Sequence, residues 1–297
     1  MSLSRLVVPA AYNYIACFLT LDCNLNCNYC INSFGRKKNF FAGNISGEKW
    51  VKALNRLISR PDLPITLQGG EPSLHSDFIW VINQLRPDLP IDILTNLCFD
   101  VDNFIAKVNS SRLRRKAPYA SIRASYHPPY MNLEKLIDSA LKLKKAGFSV
   151  GIYGLRHPEF EKQNLFAQKK CLSSGIDFRI KDFLGKFKGK IYGKFKYPES
   201  IGSKIKKSCL CRIPELIIGP DCSVYKCHRD LYGGYWPIGN LLDNSFKIEN
   251  KFRKCFSFGD CNPCDVKIKT NRFEAYGYCS AEIKDIKENK GNKAVEG

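Results

Sequence analysis

Cys23-Asn-Leu-Asn-Cys27-Asn-Tyr-Cys30 sets three thiols within eight residues, directly behind the apolar run Tyr14–Thr20. That run reads as a strand, so the cysteines fall in the turn that follows it. Three thiolates this close wrap a cubane 4Fe–4S cluster and leave its fourth iron without a protein ligand. The competing readings are a zinc site, which normally wants a fourth Cys or His close by, and three unrelated surface thiols.

Working outward, short apolar runs recur at Pro64–Leu67, Ile91–Leu94, Ala120–Ala124, Phe148–Tyr153 and Ile176–Ile180. Helical spacing fills the gaps: Trp50, Val51, Leu54, Leu57 and Ile58 share one face, as do Leu133, Leu136, Ile137, Ala140 and Leu141. Ser46 and Asn132 are the expected N-caps, and Gly147 and Gly175 the expected stops. Alternating β and α patterns predict an α/β fold, a partial (β/α)6 TIM-like barrel, with the repeat ending near Lys181. In parallel βα architectures ligands gather at the C-terminal strand ends. His75, His127 and His157 all follow predicted strands, while His228 adjoins Cys227.

Gly69-Gly70-Glu71-Pro72 follows the second predicted strand. The CxxxCxxC spacing, with Tyr29 before its last cysteine, resembles the radical S-adenosylmethionine superfamily, and the Gly-Gly-Glu-Pro segment is similar to that family's GGEP motif. The resemblance implies that Cys23, Cys27 and Cys30 hold the cluster and that Gly69, Gly70, Glu71 and Pro72 meet the amino group of S-adenosylmethionine. It further implies that Thr95, Asn96 and Ser125, at the ends of the third and fourth strands, contact the methionyl or ribose part, with Tyr153 by the adenine. A flavodoxin- or ferredoxin-like electron donor is implied with them.

Past Lys181 the pattern changes, and eight of the fourteen cysteines fall between Cys209 and Cys279. Leu216–Ile218 and Val224–Lys226, parted by Gly219-Pro220-Asp221, predict a hairpin. On spacing alone Cys261-Asn-Pro-Cys264 suits zinc or an iron–sulfur cluster equally. The order Cys211, Cys227, Cys261, Cys264 resembles the Twitch version of the SPASM extension, which implies one auxiliary 4Fe–4S cluster on those four thiols. The sequence departs from the SPASM pattern in having Cys222 where the hairpin often has Gly, and in lacking a close run of four cysteines. Cys209, Cys222, Cys255 and Cys279 are left for a second cluster or for none. Cys17, Cys98 and Cys171 fall within predicted elements and read as buried apolar residues. The domain reading is a barrel over 1–184, a basic linker over 185–208, a cysteine-rich unit over 209–280 and a disordered tail over 281–297.

The chain of 297 residues is 44% hydrophobic and 25% charged, a globular composition. Pro9, Asn13 and Thr20 interrupt the apolar stretch Leu6–Leu21, which is also short for a membrane span, and Asp22 before Cys23 argues against a lipoprotein signal. A cytoplasmic chain with reduced thiols is expected. The net charge of +19 includes nine lysines between Lys181 and Lys207, a field that attracts nucleic acid, phosphorylated metabolites or acidic peptides, or is simply a solvated surface. Three substrate classes therefore stand. A small sugar- or cyclitol-like molecule, oxidised or epimerised, is favoured, because only about fifteen residues precede the cluster strand and leave no room for a leader-binding domain. A peptide or protein maturase is the alternative, and RNA or tRNA modification or binding the third.

Overall fold

The computed structural model describes residues 3–33, 44–204, 206–268 and 279–286. Strand β1 (Leu6–Val7) precedes β2 (Tyr14–Thr20), and β3 (Leu57–Ile58) pairs in parallel with β1. The repeat continues through β4 (Ile65–Gly69), β5 (Ile91–Thr95), β6 (Ile122–Ser125), β7 (Val150–Arg156) and β8 (Asp177–Asp182). Between these strands lie α1 (Gly47–Leu54), α2 (Phe78–Gln84), α3 (Val101–Lys107), α4 (Leu133–Lys145) and α5 (Glu161–Ser173).

Leu57 and Ile58 leave the helix to which their spacing assigned them. The helix ends at Leu54, and Arg56 turns the chain by donating to the carbonyls of Ser4, Leu241 and Asp243, which frees Leu57–Ile58 to pair with Leu6–Val7. Local periodicity is overridden there by a buried side-chain anchor. Asn132 caps α4 by accepting from the Lys135 amide at 3.0 Å, a contact worth about 1 kcal/mol, whereas Ser46 makes no side-chain cap bond.

A hairpin of β9 (Gly185–Phe187) and β10 (Lys190–Tyr192) follows. After it come β11 (Lys207–Arg212), β12 (Glu215–Ile218), β13 (Ser223–Tyr225), α6 (His228–Gly233) and β14 (Gly239–Asn240), then β15 (Arg253–Phe258), α7 (Pro263–Val266) and β16 (Glu282–Asp285). The expected hairpin is β12–β13, with Ile217 opposite Tyr225 and Ile218 opposite Val224. Its β12 also pairs in parallel with β2, Glu215 opposite Tyr14, so the hairpin is continuous with the main sheet. The nine strands run in the order β14-β13-β12-β2-β4-β5-β6-β7-β8, parallel from β12 to β8.

The large core lies between the sheet and its helices, where Trp50, Leu54, Ile65, Leu67, Ile82, Ile91 and Phe104 are fully buried. A second sheet, β15-β11-β16, holds a separate core rich in cysteine. The tail expected over 281–297 starts instead as β16, because Ile283 packs into that second core opposite Cys211; residues 287–297 lie outside the described part. No helix of the described residues is long and apolar enough to cross a membrane.

Candidate active site

Backbone pairing fixes the cysteine loop on the Gly-Gly-Glu segment. The Gly70 amide donates to the Thr20 carbonyl at 3.0 Å, and the Glu71 amide to the Asp22 carbonyl at 2.8 Å. These bonds hold the two chains so close that a Cβ on Gly70 would lie 2.2 Å from the Asp22 oxygen, and one on Gly69 would lie 2.0 Å from that of Thr20. Only glycine permits that approach. Gly70→Ala is therefore expected to push the loop away, lowering stability by about 3 kcal/mol and abolishing iron uptake at the loop. Thermal melting and iron analysis of the variant check it.

Glu71 is 1% exposed, and its carboxylate collects the end of β5. Oε1 accepts from the hydroxyls of Thr95 and Ser73, each at 2.7 Å, and Oε2 accepts from the Asn96 amide at 2.6 Å. Asn96 in turn donates from Nδ2 to Asn24 Oδ1 in the cysteine loop at 2.7 Å. Tyr29 anchors the other side: its ring lies 4.8 Å from that of His157 and 5.6 Å from that of Phe160, and its hydroxyl is 3.2 Å from His127 Nδ1. Burial lowers His127 to about 4, so at neutral pH the imidazole is uncharged and its Nδ1 can accept the tyrosine proton.

All of this surrounds one cavity of about 420 Å³. Cys23, Cys27, Cys30 and Tyr29 line it, as do Gly69, Gly70 and Glu71, and Thr95, Asn96, Ser125 and Tyr153 join them from β5, β6 and β7. Pro72 is buried at the start of a short 3-10 turn behind Glu71. The Cys27 thiol is pushed up to about 12, by burial and then by Cys30 and Cys23. Grouped thiols that oppose each other's ionisation are relieved by a cationic metal centre, which is how this trio fits a cluster.

Neither a family model nor a curated protein matches the sequence. The fold, however, is similar to solved structures of anSMEcpe with bound AdoMet. "Native anSMEcpe with bound AdoMet and Kp18Cys peptide" is 14% identical with a TM-score of 0.55, covering 90% of this chain and 92% of that one. "Native anSMEcpe with bound AdoMet" is 14% identical with a TM-score of 0.53 over 80% and 79%. A histidine-tagged form of anSMEcpe with bound AdoMet is 15% identical with a TM-score of 0.51 over 78% of each chain. The chain shares the fold of these AdoMet-bound structures.

Within that fold, the C-terminal thiols separate into three places. Cys209, Cys211, Cys227, Cys255 and Cys279 share the second core, with Cys261 packed against it. Cys209 stands opposite Cys255 across the β11–β15 ladder. Burial, then Cys255 and Cys261, raises Cys211; burial, then Asp265 and Cys255, pushes Cys261 up to about 12. Cys264, the other thiol of the Cys261-Asn-Pro-Cys264 pair, lies on the wall of the main cavity. Cys222 is buried in the main core and adds to the rise of Cys17, which burial dominates, so it stands apart from Cys209, Cys255 and Cys279.

Several residues at the site escaped the sequence reading. Cys98 is exposed, not buried, because β5 ends at Thr95 and the chain turns at Leu97, which has a φ of 56°; its Sγ lies 3.4 Å from Ser73 Oγ. Asn32 donates to the Gly69 carbonyl at 2.7 Å and accepts from the Tyr232 hydroxyl at 2.6 Å, tying the cysteine loop to α6. On the same wall His228 Nδ1 is 2.7 Å from Asp265 Oδ1, and Glu215, which accepts from Ser280, brings its carboxylate within 4.8 Å of both. Only the position of His228 beside Cys227 hinted at that group. Arg123, within β6, and Arg156, at the end of β7, pair with Asp92 at 3.1 Å and Asp182 at 3.9 Å.

Proposed function

We propose that the chain is an iron–sulfur enzyme that opens S-adenosylmethionine reductively and abstracts hydrogen from a peptide or protein substrate. The observation that carries this reading is the cavity in which the three loop thiols and the tied-down Glu71 face the same space. Cys23, Cys27 and Cys30 would hold a 4Fe–4S cluster. When bound, the cluster supplies the electron that splits the cofactor's sulfonium into methionine and a 5′-deoxyadenosyl radical.

The chain's own groups then have separable tasks. Glu71, with Gly69, Gly70 and Pro72, receives the ammonium of the cofactor, while Thr95, Asn96 and Ser125 take its methionyl and ribose oxygens and Tyr153 covers the adenine. Tyr29 and its aromatic neighbours exclude water from the loop. For the auxiliary cluster, in residues 209–280 behind a barrel of residues 1–184, the buried thiols support Cys211, Cys227 and Cys261, with Cys255 replacing Cys264 as the fourth ligand. Such a cluster would take the electron left on the substrate, and a flavodoxin- or ferredoxin-like donor would supply the first one.

A peptide replaces the sugar- or cyclitol-like substrate that the sequence favoured, because a similar fold over nine-tenths of the chain holds a peptide. The reduced, reconstituted enzyme tests this when assayed for 5′-deoxyadenosine with a tryptic peptide mixture and, separately, with a mixture of hexoses and inositols. Stimulation by peptides is expected, at least about tenfold over the uncoupled rate. Stimulation by the sugars alone would reverse the choice.

A further inference from the structure

The cavity has a second charged surface, away from the cysteine loop. Arg123 and Ser125 share the interior face of β6 two residues apart, so Arg123 sits about 7 Å deeper than the expected cofactor contact. Beside it, β8 contributes Arg179 and Lys181, and Tyr153 of β7 stands between the two strands. The Lys181 ammonium lies 4.5 Å from the centre of the Tyr153 ring. Burial raises the Tyr153 phenol, and Arg179 and Arg123 oppose that rise, which reflects how near both cations are.

The carboxylates of this wall are already engaged. Arg115 takes both oxygens of Asp92, at 2.6 and 2.7 Å, and Arg123 shares the same carboxylate through Nη2 at 3.1 Å. Arg179 donates to Asp177 at 2.8 Å and to the Pro118 carbonyl at 2.7 Å. Asp92 and Asp177 thus serve Arg115, Arg123 and Arg179, two carboxylates for three guanidinium groups. Across the cavity, Glu71 accepts from Thr95, Asn96 and Ser73 and keeps its charge for the cofactor's ammonium, and Glu215 accepts from Ser280. Arg123 is only 7% exposed, and its Nε has no hydrogen-bond partner. A buried guanidinium donor left unpaired costs stability, which an incoming oxyanion recovers.

We infer that this wall binds an anionic oxygen group on the substrate, a carboxylate or a phosphate, through Arg123 and Lys181. The inference rests on the S-adenosylmethionine reading of the opposite end of the cavity. A planar guanidinium with a free Nε suits two-oxygen recognition, and Lys181 adds a mobile charge at the rim. The group would be gripped deep in the sheet while the neighbouring part of the substrate lies under Ser125. An acidic or phosphorylated side chain of a peptide meets that description.

The test uses the anaerobically reconstituted holoenzyme with S-adenosylmethionine bound, titrated calorimetrically with three acetylated, amidated pentapeptides that differ only in a central Asp, phosphoserine or Asn. The Asp or the phosphoserine peptide is expected to bind at least about tenfold more tightly than the Asn peptide, and which of the two prefers the site names the group. That preference falls in Arg123→Gln and in Lys181→Gln. It persists in Lys188→Gln, which removes the same charge from an exposed lysine of the β9–β10 turn. Circular dichroism reports whether Arg123→Gln folds; if it does not, Lys181→Gln decides.

Equal or absent binding of the three peptides overturns the inference, as does a preference lost equally in Lys188→Gln. So do variants that weaken S-adenosylmethionine binding in place of peptide binding, since the wall would then serve the cofactor's own carboxylate. Cofactor cleavage is scored separately. A preference without 5′-deoxyadenosine keeps this site and removes the radical reading, whereas 5′-deoxyadenosine without a preference does the reverse.

Discussion

Replacing Cys23, Cys27 and Cys30 together by alanine is expected to abolish 5′-deoxyadenosine formation, a loss of at least about a thousandfold, while the chain keeps about four of its roughly eight irons. The two outcomes are linked by where the thiols lie. The loop trio lines the main cavity, whereas Cys211, Cys227, Cys255 and Cys261 gather in the core of the β15-β11-β16 sheet. Removing the first set leaves the second core untouched. Iron counting with cofactor cleavage in the same preparation checks both; a variant without iron would remove the auxiliary cluster, and a variant that still cleaves would remove the loop from the chemistry.

Glu71 supports the second large effect. In Glu71→Ala, the Thr95 and Ser73 hydroxyls and the Asn96 amide lose a buried acceptor together, a cost of about 3 kcal/mol or more. For a chain of this size that corresponds to a fall in Tm of about 5 °C. Glu71→Gln separates structure from binding, because it keeps one acceptor oxygen and the side-chain volume but loses the charge that meets the cofactor's ammonium. Its melting point is expected to fall less, and its Kd for S-adenosylmethionine to rise about 10- to 100-fold. Wild-type affinity in Glu71→Gln would show that the carboxylate serves only to hold β5.

The cysteine loop, the glycine pair and the βα alternation were legible because each is local: a spacing, a tight turn, a period. The placement of Leu57–Ile58 was not, since it depends on Arg56 reaching carbonyls nearly two hundred residues away. The auxiliary thiols were legible as a group, though not how they divide between the second core and the cavity wall. Cys261, ahead of α7, packs against the second core, while Cys264, inside α7, lines the cavity. Cys98 looked like part of a strand because Ile91–Leu94 runs on into Leu97, and only the left-handed turn at Leu97 exposes it. Arg123 is held in an ion pair with Asp92; that the pair leaves one donor over follows from Arg115 claiming the same carboxylate, a contact no spacing reveals.

The most direct test of the account is the low-temperature electron paramagnetic resonance spectrum of the reduced, reconstituted chain before and after S-adenosylmethionine is added. A cluster on Cys23, Cys27 and Cys30 has one iron free of protein ligand, so the cofactor can bind it and alter the signal. The account predicts a changed signal in the wild type and an unchanged, auxiliary-only signal in the triple alanine variant. A wild-type spectrum indifferent to the cofactor would contradict it.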